Sequence, residues 1–298
     1  MHRGASLFAR SSGLLCLSFV LATPGFSQVV AEAKEERGIQ DNSFLIEEAY
    51  NQDIGVVQHI STFTRMWNSK DWNFTFTEEW PMPHNPRHQI SYSLVGMHSG
   101  DFGSSGGGWG DTILNYRYQV AGDGDSRFAF APRLSVMIPS GDVAEGRGAG
   151  GTGVQLNLPF SVVLNRRLVT HWNAGSTFVP HAQSPDHEHA ATAGFNLGQS
   201  FIVLVHSRFN FLVETSYNRF QSVVGSDRTE WDEALFVNPG IRWSFHLSRG
   251  LQIVPGVAIP IGIGSSAGER GLFLYLSFEH PFRKQPAPAA AAQPSSHL

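Results

Sequence analysis

The sequence predicts an all-β fold, a transmembrane antiparallel β-barrel of about 12 strands preceded by an N-terminal plug or periplasmic segment. Three observations predict it. Over residues 55–282, segments of about ten to fifteen residues alternate apolar and polar side chains. Successive residues of a strand point to opposite faces, so such a segment is greasy on one side and wet on the other. No apolar run of 18 residues follows the first thirty, which argues against membrane-spanning helices. The breaks between segments also alternate between short and long, as the two ends of an outer-membrane barrel do. A soluble β-sandwich is the alternative fold.

Residues 1–27 read as a secretory signal. Arg3 and Arg10 supply the positive start, GLLCLSFVLA (13–22) the apolar stretch, and Gly25 and Ser27 the small residues before a cleavage site. Cys16 is the single cysteine and lies in that stretch, so the mature chain has no thiol for a disulfide, a thiolate metal site or a nucleophile. Of 21 basic residues, loss of Arg3 and Arg10 leaves 19 against 25 acidic ones, a net charge of −6. That balance offers nothing to a nucleic acid.

Residues 28–54 form the next unit. A charged stretch leads into NSFLIEEAYN (42–51), where Asn42 or Ser43 would cap a short helix and a strand is equally compatible. Twelve wall strands return both chain ends to one side of the membrane, so this stretch is expected in the periplasm or folded into the lumen as a plug.

The barrel, 55–282, is read as strands at 55–67, 71–80, 88–97, 109–120, 127–138, 152–164, 167–179, 190–206, 209–220, 233–247, 251–263 and 270–282. Tight turns are expected near 123, 166, 207 and 249, and long connections at 98–108, 139–151, 180–189, 221–232 and 264–269. The short set is assigned to the periplasm and the long set to the cell exterior; 68–70 is short where a long loop is expected. On the last strand, Leu272, Leu274, Leu276 and Phe278 share a face and lead to Phe282. That ending is similar to the assembly signal of outer-membrane proteins, and barrel assembly machinery is an expected partner. Residues 283–298, rich in Ala and Pro, read as a disordered tail.

The faces nominate the lumen. On 209–220, Phe209, Phe211, Val213, Thr215 and Tyr217 oppose Asn210, Glu214, Ser216 and Asn218. On 109–120, Leu114, Tyr116 and Tyr118 oppose Asp111, Asn115, Arg117 and Gln119. On 127–138, Phe128, Phe130, Leu134, Val136 and Ile138 oppose Arg127, Arg133 and Ser135. On 233–247, Ile241, Trp243, Phe245 and Leu247 oppose Asn238, Arg242, Ser244 and His246. An arginine turned to lipid at mid-depth costs roughly 2–4 kcal/mol, which fixes the register. Arg117, Arg133, Glu214, Arg242, Asn115 and His246 are therefore the expected channel-lining residues. A satisfied polar network filling a narrow barrel is the bland reading of the same set. The seven tryptophans lie mostly toward strand ends, as interfacial girdles do.

Other constellations carry less. His181, Asp186, His187, Glu188 and His189 have metal-ligand chemistry, but Pro180 and Pro185 place them in a solvated loop. The glycines around Trp109 lack the Lys-Ser/Thr of a phosphate loop and enter a strand. His98/Ser99 and His206/Ser207 are adjacent and point to opposite faces, so neither pair is a ready hydrolytic dyad. His171 and Asn173 share a face with no evident serine beside them. No catalytic residue, metal or cofactor is expected.

Residues 109–118 (WGDTILNYRY), 131–142 (APRLSVMIPSGD), 151–156 (GTGVQL) and 173–175 (NAG) supply a further signal. A Gly-Asp strand start followed by a strand ending in Pro-Ser-Gly resembles the MetA-pathway of phenol degradation family of bacterial outer-membrane barrels. The resemblance spans most of 55–282. It implies a barrel and uptake of small, aromatic or hydrophobic compounds, and it carries over no catalytic residues. The expected role is a passive channel or transporter for small solutes in the outer membrane of a Gram-negative-type bacterium, with membrane lipid and solute as partners. The alternatives are a closed structural or surface-interaction barrel and a membrane hydrolase.

Overall fold

The structure is a computed structural model that describes residues 39, 43–99 and 106–282. The expected signal, residues 100–105 and the tail from 283 lie outside the described residues. Twelve antiparallel strands form one closed wall. They are β1 (Val56–Met66), β2 (Trp72–Pro81), β3 (His88–His98) and β4 (Gly108–Trp109 with Thr112–Tyr118). Next come β5 (Phe128–Phe130 with Arg133–Ile138), β6 (Gly153–Asn157 with Phe160–Asn165), β7 (Leu168–Gln183) and β8 (His189–His206). The last are β9 (Phe209–Gly225), β10 (Arg228–Trp243 with Phe245–His246), β11 (Gln252–Ala258 with Ile261–Gly262) and β12 (Gly271–Pro281). Each strand pairs with the next, and β12 closes on β1 through Val56 opposite Pro281 to Met66 opposite Gly271. Closure leaves every ladder hydrogen bond inside the wall, which is what hydrocarbon demands of a spanning sheet.

The alternation is realised as read. Phe211, Leu134, Val136, Leu114, Tyr116 and Leu274 are exposed on the outside, while Asn210, Glu214, Ser135, Asn115, Arg117 and Ser277 are buried inside. Rings cluster near strand ends: Trp80 lies 5.2 Å from Phe282, Phe195 stacks 6.0 Å from Trp231, and Arg219 sits 4.8 Å over Trp231. Amphipathic rings at these depths suit a membrane interface.

Two expected long loops are strands instead. The connection read at 221–232 is a continuation of β9 and β10, joined across Ser226 and Asp227. Asp227 takes the positive φ, 55°, that a tight hairpin needs. The connection read at 180–189 shrinks to 184–188, with a register shift between Val179 and Ala182. Strands β7–β10 thus run for 16 to 18 residues where about ten cross a bilayer. Beyond the hydrocarbon both faces meet water, so alternation vanishes while backbone pairing persists. Periodicity alone therefore stopped the strands too early.

Five strands read as continuous are interrupted, three of them at proline. Pro132, Pro159 and Pro260 have no N–H to give the ladder. Their carbonyls still accept, from Tyr118 N–H at 3.1 Å, Ala131 N–H at 3.2 Å and Gly271 N–H at 3.0 Å. One end of the barrel carries both wall termini and the two-residue turns 166–167 and 207–208; it is called the turn end below, and the opposite end the loop end. At the loop end the connection between β5 and β6 is folded. Asp111 accepts Gly141 N–H at 3.0 Å and Ala149 N–H at 2.7 Å, and Arg147 pairs with Asp142 at 3.2 Å.

Candidate functional site

Residues 43–54 adopt neither of the forms read from sequence. They are irregular and cross the barrel interior. A buried chain without secondary structure must find partners for its own N–H and C=O groups. Here the wall supplies them. Glu214 on β9 accepts the N–H groups of Phe44 (2.9 Å), Leu45 (2.9 Å) and Ile46 (3.4 Å). Asn173 on β7 takes both backbone groups of Glu47, accepting its N–H at 2.9 Å and donating to its carbonyl at 2.7 Å. Ser161 on β6 accepts from Ala49 N–H (2.8 Å), Gln119 from Asn51 N–H (3.0 Å) and Gln89 from Gln52 N–H (2.7 Å). Earlier in the segment, Asn210 and Arg242 both donate to the carbonyl of Ile39, Arg242 at 2.8 Å.

The segment makes one turn back on itself. Ile39 lies near the turn end, beside Asn210 and Arg242. Residues 44–47 reach the depth of Glu214 and Asn173. Residues 49–52 descend past Ser161, Gln119 and Gln89 to Gly55, whose carbonyl accepts Phe282 N–H at 2.8 Å.

Two kinds of wall hold it. On β2–β7 the hold is polar. Arg117 donates to four acceptors on the segment: Glu47 Oε1 at 3.1 Å, the Glu48 carbonyl at 3.2 Å, the Tyr50 carbonyl at 2.8 Å and Asn51 Oδ1 at 3.1 Å. It also pairs with Glu79 at 3.3 Å. Arg133 reaches Glu47 Oε2 from its Nε at 2.8 Å, and Asn157 donates to the same oxygen at 2.8 Å. Burial alone would raise the Glu47 carboxyl; Arg133 and Arg117, helped by Asn157, outweigh it and hold the group below its ordinary value of 4.5.

On β7–β12 an apolar contact joins the bonds from Asn173, Asn210, Glu214 and Arg242. Ile39 and Phe44 pack with Val169, Ile202, Leu204, Leu212, Val254, Ala258, Phe273 and Tyr275. The Phe44 ring lies 5.3 Å from both Phe273 and Tyr275. Gly240 and Gly256 make its seat, and Ile46 lies over Gly198. The lumen near the turn end is therefore only partly polar, and Leu212, on the same inward face as Asn210 and Glu214, belongs to its apolar half.

The six residues expected to line a channel have distinct places. Arg117, Arg133, Glu214 and Arg242 all bond the crossing segment. Asn115 backs Arg133, accepting from its Nη1 at 2.6 Å and from Ser135 Oγ at 2.7 Å. His246 is exposed at the end of β10 and shares a 3.0 Å hydrogen bond with Gln252. The sequence pattern does not single out Ser161, Asn157 and Gln89, and it names Asn173 only as sharing a face with His171; face parity marks all four, but nothing local says that a segment waits for them.

The structure also places Ser161 Oγ 2.7 Å from His171 Nδ1, a pair separated by the turn between β6 and β7. Both are fully buried beneath Ala49 and Tyr50, with the Tyr50 ring edge-on to His171 at 5.8 Å. In this position Ser161 anchors the crossing segment. Among the described residues no group of three or more His, Cys, Asp or Glu side chains could hold a metal.

Toward the loop end lies a cavity of about 600 Å3. Met66, Trp72, Met97, Val143 and Phe220 give it apolar surface, with Asn73, Thr192 and Gln221 among its polar groups.

No protein-family model matches this chain. No curated protein matches it in sequence. Among solved structures it is similar to an outer-membrane channel from Pseudomonas putida F1, at 10% identity and TM-score 0.56, over 78% of this chain and 97% of that one. It is also similar to the NanC porin, at 11% identity and TM-score 0.48, over 74% and 98%. At such identity the first match shows a shared fold. The closed wall, its apolar outer face and that shared fold together make this chain an outer-membrane β-barrel.

Proposed function

We propose that the protein is a passive outer-membrane channel for small solutes, with residues 28–54 as its plug. The observation that carries this reading is the way the lumen is filled. Residues 43–54, without helix or strand, occupy the turn end, and most of their backbone bonds run to wall side chains. Such a filling can leave without breaking the wall, whereas side chains of the wall itself cannot. The loop-end cavity is large enough for a small organic molecule, and its mixed lining suits compounds with apolar bodies, in line with the resemblance to the MetA-pathway of phenol degradation family. In this reading the turn end faces the periplasm, the loop end faces outward, and the barrel assembly machinery inserts the chain.

Liposome swelling with a graded panel of solutes tests the reading, run on the full chain and on a chain lacking residues 28–54. Slow swelling by the full chain and fast, size-limited swelling by the trimmed one is the expected result. A trimmed barrel that stays closed to every solute overturns it and leaves a structural or surface-interaction barrel.

A further inference from the structure

We infer that Arg117, Arg133 and Asn157 form a receptor for a small monocarboxylate solute, and that Glu47 fills it as a tethered stand-in. This rests on the channel reading and names one solute class for it.

The argument starts from where the charges are fixed. At Glu214 the carboxylate belongs to the wall and the crossing segment brings neutral N–H groups. At Glu47 the order is reversed: the carboxylate belongs to the segment and the cations belong to the wall. Donors from three successive strands converge on its two oxygens, Arg117 Nη1 on Oε1, and Arg133 Nε with Asn157 Nδ2 on Oε2. Guanidinium groups meet a planar carboxylate through directed N–H bonds, so the set favours a carboxylate over a spherical anion.

Withdrawal of the segment would leave Arg133 without a carboxylate partner. Among the described residues Arg133 has one ion-pair partner, Glu47, while Arg117 keeps Glu79. The other partners of Arg133, namely Asn115, Ser135 and Gln155, are neutral and hold its guanidinium in place. Inside a narrow lumen an ion pair is stronger than in bulk water. A solute carboxylate entering the same place restores the pair and so favours the withdrawn plug. The site is not sealed: the side chains of Glu47 and Arg133 keep 19% and 20% of their exposure.

The size of the ligand follows from the stand-in. The Glu47 side chain is a propionate on a tether, so a carboxylate with a short alkyl tail reproduces its head and stem. Competition with a tethered group sets the working range. Short flexible tethers hold their ligand at an effective concentration on the order of millimolar, so free solute must exceed that or bind more tightly. Solute binding and plug release are then one equilibrium, and whatever weakens the plug tightens the solute.

Titration calorimetry of the full chain in detergent, with butyrate, butyramide and butylamine as probes, tests the inference without any need for transport. Butyrate alone is expected to bind. Glu47→Gln, which removes the competitor and keeps the wall, should tighten butyrate at least tenfold, and Arg133→Gln should weaken it at least tenfold. In the unaltered chain, butyrate and not butyramide should speed hydrogen exchange at the amides of Phe44, Leu45, Ile46 and Glu47, a readout that requires no variant. Equal binding of butyrate and butyramide, or no change in exchange with saturating butyrate, overturns the site. If butyrate binds as described while the trimmed barrel stays closed in swelling assays, the channel reading fails and the receptor stands. If neutral solutes pass freely and butyrate binds nowhere, the receptor fails and the channel stands.

Discussion

The ring of Phe44 lies against Gly256, in a notch that exists because the wall there has no side chain. A Cβ built on Gly256 would lie 2.5 Å from Cζ of the ring, and one on Gly240 2.7 Å from its Cε2. Neither backbone has a positive φ, so glycine is needed for the space and not for the conformation.

Gly256→Ala should therefore loosen the crossing segment and leave the wall paired. Overpacking of this kind costs roughly 1–3 kcal/mol. The expected outcome is more frequent channel opening in planar bilayers and faster proteolysis within residues 43–46, at unchanged heat-modifiable migration of the barrel. Unaltered proteolysis would mean that the ring finds room elsewhere.

Both oxygens of Glu214 hold residues 44–46, Oε1 taking two N–H groups and Oε2 one. A buried donor left without its acceptor costs about 1–3 kcal/mol. Glu214→Gln keeps the shape and turns an N–H donor toward the segment's own N–H groups. Hydrogen exchange at the Phe44, Leu45 and Ile46 amides should rise at least tenfold, while exchange at Gln52, bonded to Gln89, should change less. A uniform rise along the segment would show that it leaves as one piece.

Acid should release the segment through Glu47. Its neighbours are Arg133 from β5, Arg117 from β4 and the Glu79 carboxylate beyond Arg117, with Asn157 and Asn173 as neutral partners. The folded-state value lies below 4.5, so the contribution is complete above 4.5 and is lost as the pH falls through the depressed value. Conductance should show a rise below pH 4.5, and Glu47→Gln should remove that step by opening at all pH values. A rise centred well above 4.5 would assign the effect to another group.

Phe201 stands on the outer face of β8, six residues on from the interfacial Phe195, and is 41% exposed. Phe201→Arg should cost roughly 2–4 kcal/mol if that face meets hydrocarbon. Reversible unfolding in lipid vesicles measures it. A cost near zero would put this face in water, and the outer-membrane placement would be wrong at that depth.

The wall was legible in the sequence, and so was its facing. Phe211 and Glu214, or Leu134 and Arg133, declare their sides by parity alone, because a strand has a period of two and lipid tolerates no arginine at mid-depth. Where water lies on both sides, parity says nothing, and β9 and β10 ran on past the point where their pattern stopped. The prolines at 132, 159 and 260 were visible too, yet they interrupt strands without ending them, since a proline carbonyl still accepts from the neighbouring strand.

By itself, then, the sequence determined that the chain closes into a wall with a greasy outside, and it named Arg117, Arg133, Glu214 and Arg242 as inward residues. Only the tertiary structure decided what those residues do, which is to hold Ile39 and residues 43–54 in the lumen. The reason is distance along the chain. Wall pairing is repeated between neighbouring strands and leaves a periodic trace in each of them. The bond from Phe44 N–H to Glu214 spans 170 residues and occurs once, so no local pattern records it.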